Sequence, residues 1–341
     1  MRLVCLLLLL ILPSMMVAQD RLFTVLEYNV ENLYDTLHDA GKDDYEFLPD
    51  GKLRWTRGRY WKKLGRMAIV IAAAGYPSPP DLVGLCEVEN DSVLYDLTKR
   101  TRLRQFGYEY LMTNSSDPRG IDVALIYHPM RFHPLRHESL SIPPPSLKHK
   151  ATRDVLYVVG QVPTGDTLHV FLCHFPSRSG GKMLTEKYRC VAARIVREYC
   201  DSILEKNPCA NILLMGDFND EPNDVSLSKE LRVKAPDLVT TLGEKELYIL
   251  SKGLNKSDGV RGTYKLKGEW SQIDHFIVSG HLLNNTSLFR TTPQHCQIFC
   301  PEFLMERDKK DGTIKPKRTY LGTFYKGGYS DHFPLRLQFL F

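Results

Sequence analysis

The sequence predicts a mixed α/β fold in one domain, on three observations. Short apolar runs rich in Val, Ile, Leu and Phe recur along the chain, each bounded by Pro, Gly, Asp or Asn, as buried strands are. Two stretches between them repeat apolar residues at three and four positions, the period of a helix packed on one face. No internal repeat or low-complexity linker divides the 341 residues, so strands and helices are expected to share one core.

In chain order, MRLVCLLLLLILPSMMVAQD comes first, with one Arg, an apolar stretch from Leu3 to Leu12, and small residues near Val17 and Ala18. This is the layout of a secretory signal peptide over residues 1–19, with the folded domain over 20–341. The apolar stretch is too short to span a bilayer. No second long one follows, so the expectation is a soluble protein, secreted or periplasmic, with no stable membrane anchor.

RLFTVLEYN is the first strand. From Lys52 to Arg66, KLRWTRGRYWKKLGR carries seven Lys and Arg and no acid, interleaved with Trp55, Tyr60 and Trp61. Such a stretch either neutralises backbone phosphates and stacks bases, or is the solvated start of a helix whose aromatics pack inward. A helical pattern does begin there, running from Tyr60 to Ala74. DLVGLCEVE and DVALIYH are the next strands, SIPPPS (Ser141–Ser146) is a rigid loop, and LYVVGQV and LHVFLCHF are strands again. The clearest helix spans Thr185–Leu204, where Tyr188, Val191, Ala192, Ile195, Val196, Tyr199 and Ile203 recur at helical spacing. NILLMGDFN, QIDHFIVS and FPLRLQFLF complete the strands, the last after a second basic stretch, KPKRTYLGTFYKGG.

The net charge of +5 permits an anionic substrate without demanding one. Seven cysteines remain beyond Cys5 of the leader, an odd number that cannot all pair. Cys86 and Cys173 lie inside apolar runs and read as small core residues. Cys296 with Cys300, and Cys200 with Cys209, are the candidate bridges. No paired C-x-x-C with clustered histidines marks a zinc site.

Polar residues recur where these strands begin and end. Asn29 and Glu31 close the first; Glu87 follows LVGLC and His174 follows HVFLC; Asp217 and Asn219 follow ILLMG; Asp274 opens IDHFIVS; Asp331 and His332 precede the final strand. Taken singly, Asp and Asn at strand ends are turn formers. Glu87 fits that reading poorly, because burying a carboxylate without a partner is costly. Neighbouring strands bring such ends to one rim, where the whole set would form a site.

LEYNVENLYD, LVGLCEVEN, RGIDVALIY, HFPSR, LLMGDFND, GEWSQIDHFIVS and YSDHFPL resemble, in order, the motifs of the endonuclease/exonuclease/phosphatase superfamily, from about Leu22 to Phe341. The resemblance implies a deoxyribonuclease I-like four-layer α/β/β/α sandwich of two packed mixed sheets flanked by helices. It also implies phosphoester hydrolysis assisted by a divalent cation, Mg2+ or in its place Mn2+ or Ca2+. By position, Glu87 is the principal metal ligand, with Asn29, Glu31 and Asp331 supporting the metal shell. Asp217 handles the nucleophilic water or the leaving-group proton, and Asn219 orients that water. His332 contacts the scissile phosphate and pairs through its other ring nitrogen with Asp274. His174 is a second phosphate-side histidine or general acid, with Asp122 as its supporting carboxylate. Arg178 contacts phosphate, with Arg153 and Lys182 as weaker candidates that otherwise read as surface charges.

The expected substrate is a nucleic-acid phosphodiester, cleaved by an exported endonuclease or phosphodiesterase. The alternative is a phosphatase or phosphodiesterase acting on small-molecule or lipid phosphoesters, of sphingomyelinase or inositol-phosphatase type. GEWSQIDHFIV does not match the PSWCDRIL-type stretch of the inositol phosphatases, which weighs against that branch. A single large domain buries its own core, so a monomer is the default expectation.

Overall fold

The apolar runs become the strands of two six-stranded sheets. In spatial order the first holds β13 (Cys296–Ile298), β18 (Leu335–Leu340), β1 (Leu22–Leu33), β2 (Leu82–Val88), β4 (Asp122–Tyr127) and β3 (Glu109–Met112). The second holds β5 (His133–Leu140), β6 (Val155–Gln161), β7 (Thr167–His174), β8 (Asn211–Asp217), β12 (Asp274–Ser279) and β9 (Leu247–Ile249). This computed structural model describes residues 21–144, 151–236, 242–254, 259–309 and 311–341. The expected leader and the end of the SIPPPS loop (Pro145 and Ser146) lie outside the described residues.

Each sheet contains one parallel pair, β1 with β2 and β7 with β8, and its other pairs are antiparallel. Parallel neighbours need a long crossover. The two expected helices supply it: α1 (Arg57–Ala74) links β1 to β2, and α3 (Lys182–Lys206) links β7 to β8. A short α2 (Asp91–Tyr95) follows β2. Three hairpins decorate the rim: β10 (Tyr264–Leu266) with β11 (Glu269–Ser271), β14 (Met305–Arg307) with β15 (Ile314–Pro316), and β16 (Tyr320–Leu321) with β17 (Phe324–Tyr325).

Side-chain alternation explains the layering. In β8, Leu213 and Met215 enter the core shared with the first sheet and α1, while Ile212 and Leu214 enter the core under α3. Successive strand residues face opposite ways, so a strand buried on both faces reads as an unbroken apolar run. At Gly84 the sheets approach so closely that a Cβ would lie 2.8 Å from Leu172 Cδ1 and 2.9 Å from Met215 Cε. The order is helix, sheet, sheet, helix.

Three expectations change in detail. The buried face of α3 is Arg189, Ala192, Ala193, Val196, Arg197, Cys200 and Leu204, about one residue round from the expected stripe. Two inward arginines turn it: Arg189 Nε lies 2.7 Å from Asp220 Oδ2, and Arg197 Nε donates to Asp201 Oδ1 at 2.7 Å. Hydropathy cannot register a buried arginine that has a partner. In the basic stretch Trp55 and Tyr60 are buried, and Trp55 Nε1 donates to Tyr34 O. Lys63 is buried too, donating to Glu31 O, Thr319 Oγ1 and Tyr329 O. The inward-packing reading describes this segment. Finally, Cys200 with Cys209 forms no bridge, and Cys296 forms none either. Cys86 and Cys173 are core residues, with Cys86 Sγ donating to Cys173 O.

Candidate active site

The rim forms because adjacent strands end in register. His174 at the end of β7 and Asp274 at the start of β12 are both Cα partners of Asp217, at the end of β8. Gly216 makes this possible. Its φ is +137°, and a Cβ there would lie 1.8 Å from Cys173 O, so any side chain would force β7 and β8 apart. From the first sheet, Asn29 Nδ2 reaches across to donate to Asp217 Oδ2 at 3.1 Å. Glu87 stands at an irregularity between β2 and β4 with φ +69°; a bulge re-aims the side chain that it carries. Among the described residues seven non-glycines have positive φ, and Glu31, Asn32, Glu87 and Asn219 are four of them. Backbone strain of this kind concentrates at functional sites.

These residues line a cleft of about 400 Å3 that includes Asn29, Glu87, His174, Arg178, Asp217, Asn219, Asp331 and His332. His332 Nδ1 and Asp274 Oδ2 are 2.8 Å apart, and Thr263 Oγ1 donates to the same oxygen. Burial pulls His332 down, but the charges of Asp274, Asp217 and Asp331 overcome it, holding the imidazole protonated well above the usual histidine range. His174 behaves oppositely. Burial, with Arg153, Arg119 and His332 as neighbouring cations, keeps it neutral. Its Nε2 faces Glu87 Oε1 and Asp217 Oδ2, each at 3.8 Å. Burial and the nearby Asp274 push Asp217 up to about 7. Its Oδ1 accepts from Asn219 N at 2.8 Å, and Asn219 Nδ2 donates to Phe175 O.

Several expected residues serve elsewhere. Glu31 does not line the cleft: its carboxylate accepts from Thr319 N at 2.5 Å and Tyr320 N at 3.2 Å, and Arg318 Nε is 3.6 Å away. Asp122 does not support His174, whose Nδ1 has no hydrogen-bond partner. It accepts from Thr113 Oγ1 at 2.6 Å and Ser115 N at 3.0 Å, both just past the end of β3. Arg153 is buried rather than a surface charge, donating to Asp117 Oδ2 and Phe175 O. Lys182 pairs with Asp224 at 2.7 Å. Arg178 stays on the cleft wall, its Nε donating to Asn219 O at 2.5 Å. Asp331 is on that wall too, and accepts from Arg318 at 2.9 Å.

The cleft also holds residues that sequence reading missed, among them Asn32, Arg119, Ser177 and Tyr264. Arg119 lies inside the RGIDVALIY stretch, a signal that was available. Tyr264 belongs to no motif: it reaches the site through a lone backbone bridge to His332, with the two rings 4.8 Å apart. Below the rim, Glu27 is fully buried with neither carboxylate oxygen partnered. Burial, then Asp274 and Asp217, hold it protonated well above the usual carboxylate range.

The donor set suits a hard cation, because oxygen ligands dominate. Among the described residues Asp217, Asp274 and His332 bring donor atoms within 4.8 Å of one another. Asp274 Oδ2 is already committed to His332 and Thr263, so this trio reads first as a hydrogen-bonded dyad beside a carboxylate. Glu87 also lines the cleft, with one carboxylate oxygen held by Asn32 N at 2.8 Å.

The family model described as Endonuclease/Exonuclease/phosphatase family matches residues 24–340. A search of curated proteins by sequence finds no match. Solved structures do match in fold. A family protein from Bacteroides thetaiotaomicron superposes with a TM-score of 0.58 at 17% identity, over 95% of this chain and 99% of that one. TDP2 from Caenorhabditis elegans gives 0.57 at 15% identity, over 94% and 98%. A mannosyl-6-phosphatase from B. thetaiotaomicron gives 0.58 at 17% identity, over 94% and 100%. With its sheets, its rim and this match over nearly its whole length, the chain belongs to the endonuclease/exonuclease/phosphatase family.

Proposed function

We propose that the protein is an exported, divalent-cation-dependent phosphoesterase that hydrolyses phosphodiester bonds, with nucleic acid as its substrate. One observation carries the catalytic reading. Three groups in different protonation states share one rim: a protonated His332 backed by Asp274, Asp217 with a proton affinity near neutrality, and a neutral His174. A spread of this kind assigns acid and base roles.

Glu87, with Asn29 and Asp331, would hold the cation, preferably Mg2+ with Mn2+ or Ca2+ as substitutes. When bound, the ion polarises the phosphate oxygens and offsets their charge. Asp217 in its ionised form accepts the proton of the attacking water, which Asn219 orients. The water oxygen bonds to phosphorus as the P–O bond to the leaving group breaks. His332 already carries a proton and gives it to the departing oxygen. Of the two roles expected of His174, phosphate-side histidine or general acid, the first fits its neutral state, and the acid role falls to His332. Arg119 and Arg178 on the cleft wall neutralise charge.

Nucleic acid is favoured by these cleft arginines and by the fold's likeness to TDP2. A TDP2 from D. rerio, similar at 16% identity with a TM-score of 0.56, was solved with a single-strand DNA product. The phosphatase reading keeps a place because the mannosyl-6-phosphatase is equally similar in fold. Export rests on the leader over residues 1–19. The test is a substrate panel of supercoiled plasmid, bis-p-nitrophenyl phosphate and p-nitrophenyl phosphate, each with magnesium or EDTA. Nicking with diester turnover supports the reading; turnover of the monoester alone moves the assignment to a phosphatase.

A further inference from the structure

The hairpin of β10 and β11 has two working faces. Its cross-strand pairs are Tyr264 with Ser271, Lys265 with Trp270 and, at the tip, Leu266 with Glu269. Directly opposed residues share a face and consecutive pairs alternate, except at the tip, where Leu266 lines the cleft and Glu269 the groove. Tyr264 and Ser271 line the catalytic cleft. Lys265 and Trp270 line a separate groove of about 650 Å3 on the other side. The turn joining the strands is Lys267–Gly268, both at positive φ, as a tight two-residue hairpin turn requires.

The far wall of this groove is the hairpin of β14 and β15. Lys265 Nζ ties the two hairpins together, donating to Thr313 Oγ1 at 2.7 Å and Ile314 O at 3.0 Å. Trp270 is clasped between Lys265, whose Nζ is 5.1 Å from the ring centroid, and Phe333, stacked at 6.0 Å. Its ring is therefore a support, and the groove offers charge rather than a bare stacking face. Among the described residues, Arg261, Lys265 and Arg307 line it with the carboxylate of Glu269, and Asp311 of the neighbouring turn feels the charge of Lys265. Arg261 and Arg307 are exposed, and Arg307 donates to Gly312 O. Three glycines, Gly259, Gly268 and Gly312, keep its edges free of side chains. Phe333 directly follows His332, so one hairpin separates the groove from the catalytic histidine.

The geometry points to a second, non-catalytic site in this groove, which binds the phosphate backbone of a nucleic-acid strand beyond the scissile position. It rests on the nucleic-acid reading above and extends it. The strand passes over the β10–β11 hairpin, with its scissile phosphate at His332 on one face and a distal phosphate at Arg261 and Arg307 on the other. A cationic groove beside the cleft gives affinity that grows with strand length and falls with salt.

The test uses the full mature protein and an Arg261→Ala/Arg307→Ala variant, whose side chains are exposed and outside the catalytic cleft. Binding of a fluorescein-labelled single-stranded 12-mer is followed by anisotropy against salt, in a cleavage-silent His332→Ala background. Turnover of bis-p-nitrophenyl phosphate, which has no distal phosphate, is measured in parallel with His332 intact. Affinity for the 12-mer is expected to fall roughly tenfold, and the slope of log K against log salt to shallow by about 1.4, or about 0.7 for each lost contact. Diester turnover should stay within about twofold. An unchanged salt slope, no binding of the 12-mer, or arginine-dependent binding to anionic lipid vesicles instead of the 12-mer would each overturn the groove assignment. Groove-dependent binding with no turnover of any phosphodiester would leave the groove standing and remove the catalytic reading. Diester turnover without 12-mer binding would do the reverse.

Discussion

His332 Nδ1 lies 2.8 Å from Asp274 Oδ2, and both side chains are shut off from solvent. A buried carboxylate against an imidazole fixes the ring's tautomer and raises its basicity, which keeps a proton on a histidine that burial alone would strip.

Replacing Asp274 with Asn should therefore lower kcat by about 10²–10³, the usual loss when one preorganised electrostatic partner is removed. The variant's imidazole loses its proton at lower pH than before. The alkaline limb of kcat/KM against pH should accordingly move to lower pH. A profile with an unmoved alkaline limb would remove His332 from the acid role.

On the proposed mechanism, the acid limb belongs to Asp217. Its carboxyl, pushed up to about 7, must ionise to accept a proton, so activity should rise with pH through about 7. Added divalent cation should shift that limb to lower pH, since a nearby positive charge favours the carboxylate. Measuring kcat/KM from pH 5 to 9 at several magnesium concentrations checks both points.

The same burial sets a stability gradient. Glu27, Glu31 and Asp217 all have folded-state proton affinities raised above their unfolded values, the last two to about 7. Each contributes stability that is fully present below the unfolded carboxyl pKa and is lost as pH rises through the folded one. In EDTA the protein should therefore melt at a higher temperature near pH 5 than near pH 8. Glu27 has no hydrogen-bond partner, so Glu27→Gln should raise the melting temperature at pH 8 and leave it nearly unchanged at pH 4.

Much of the rim was legible in sequence because polar side chains at the ends of apolar strands stand out against their runs. His174, Asp217 and Asp274 were found that way, and strand register then set them side by side. Glu31 and Asp122 were misread for a shared reason. A carboxylate's position in a motif says nothing of which donors surround it: Glu31 is held by an amide far along the chain, and Asp122 by the Thr113 hydroxyl and the Ser115 amide. The β5 strand, at the edge of its sheet and mostly exposed, carries no apolar run to announce it. The inward arginines of α3 and the Tyr264 bridge are tertiary facts with no local signature.

Those arginines give a stability prediction. Arg189 is wholly buried, with Nε 2.7 Å from Asp220 Oδ2, and donates to Lys182 O and Thr185 Oγ1. Arg189→Met leaves Asp220 with the Ser226 hydroxyl and, at 3.7 Å, Arg178 Nε as its remaining partners, and should cost about 3 kcal/mol, the lower end for breaking a buried pair. Urea unfolding checks it, and a cost under about 1 kcal/mol would mean that Asp220 is otherwise satisfied.

Gly216→Ala tests how the rim is built. A methyl group 1.8 Å from Cys173 O cannot be accommodated without parting β7 from β8. The variant should lose roughly 3 kcal/mol or more of stability, and most of its activity, because Asp217 and His174 would no longer be in register.

On the proposed mechanism, Glu87 and His332 act on one phosphoester in the same cleft with a divalent cation. The most direct measurement is the turnover of bis-p-nitrophenyl phosphate by the mature protein in magnesium and in EDTA, beside Glu87→Ala and His332→Ala. EDTA should abolish turnover and magnesium restore it, with each variant slowed at least about a hundredfold while still folded by circular dichroism. Turnover indifferent to EDTA, or retained by both folded variants, would contradict that mechanism.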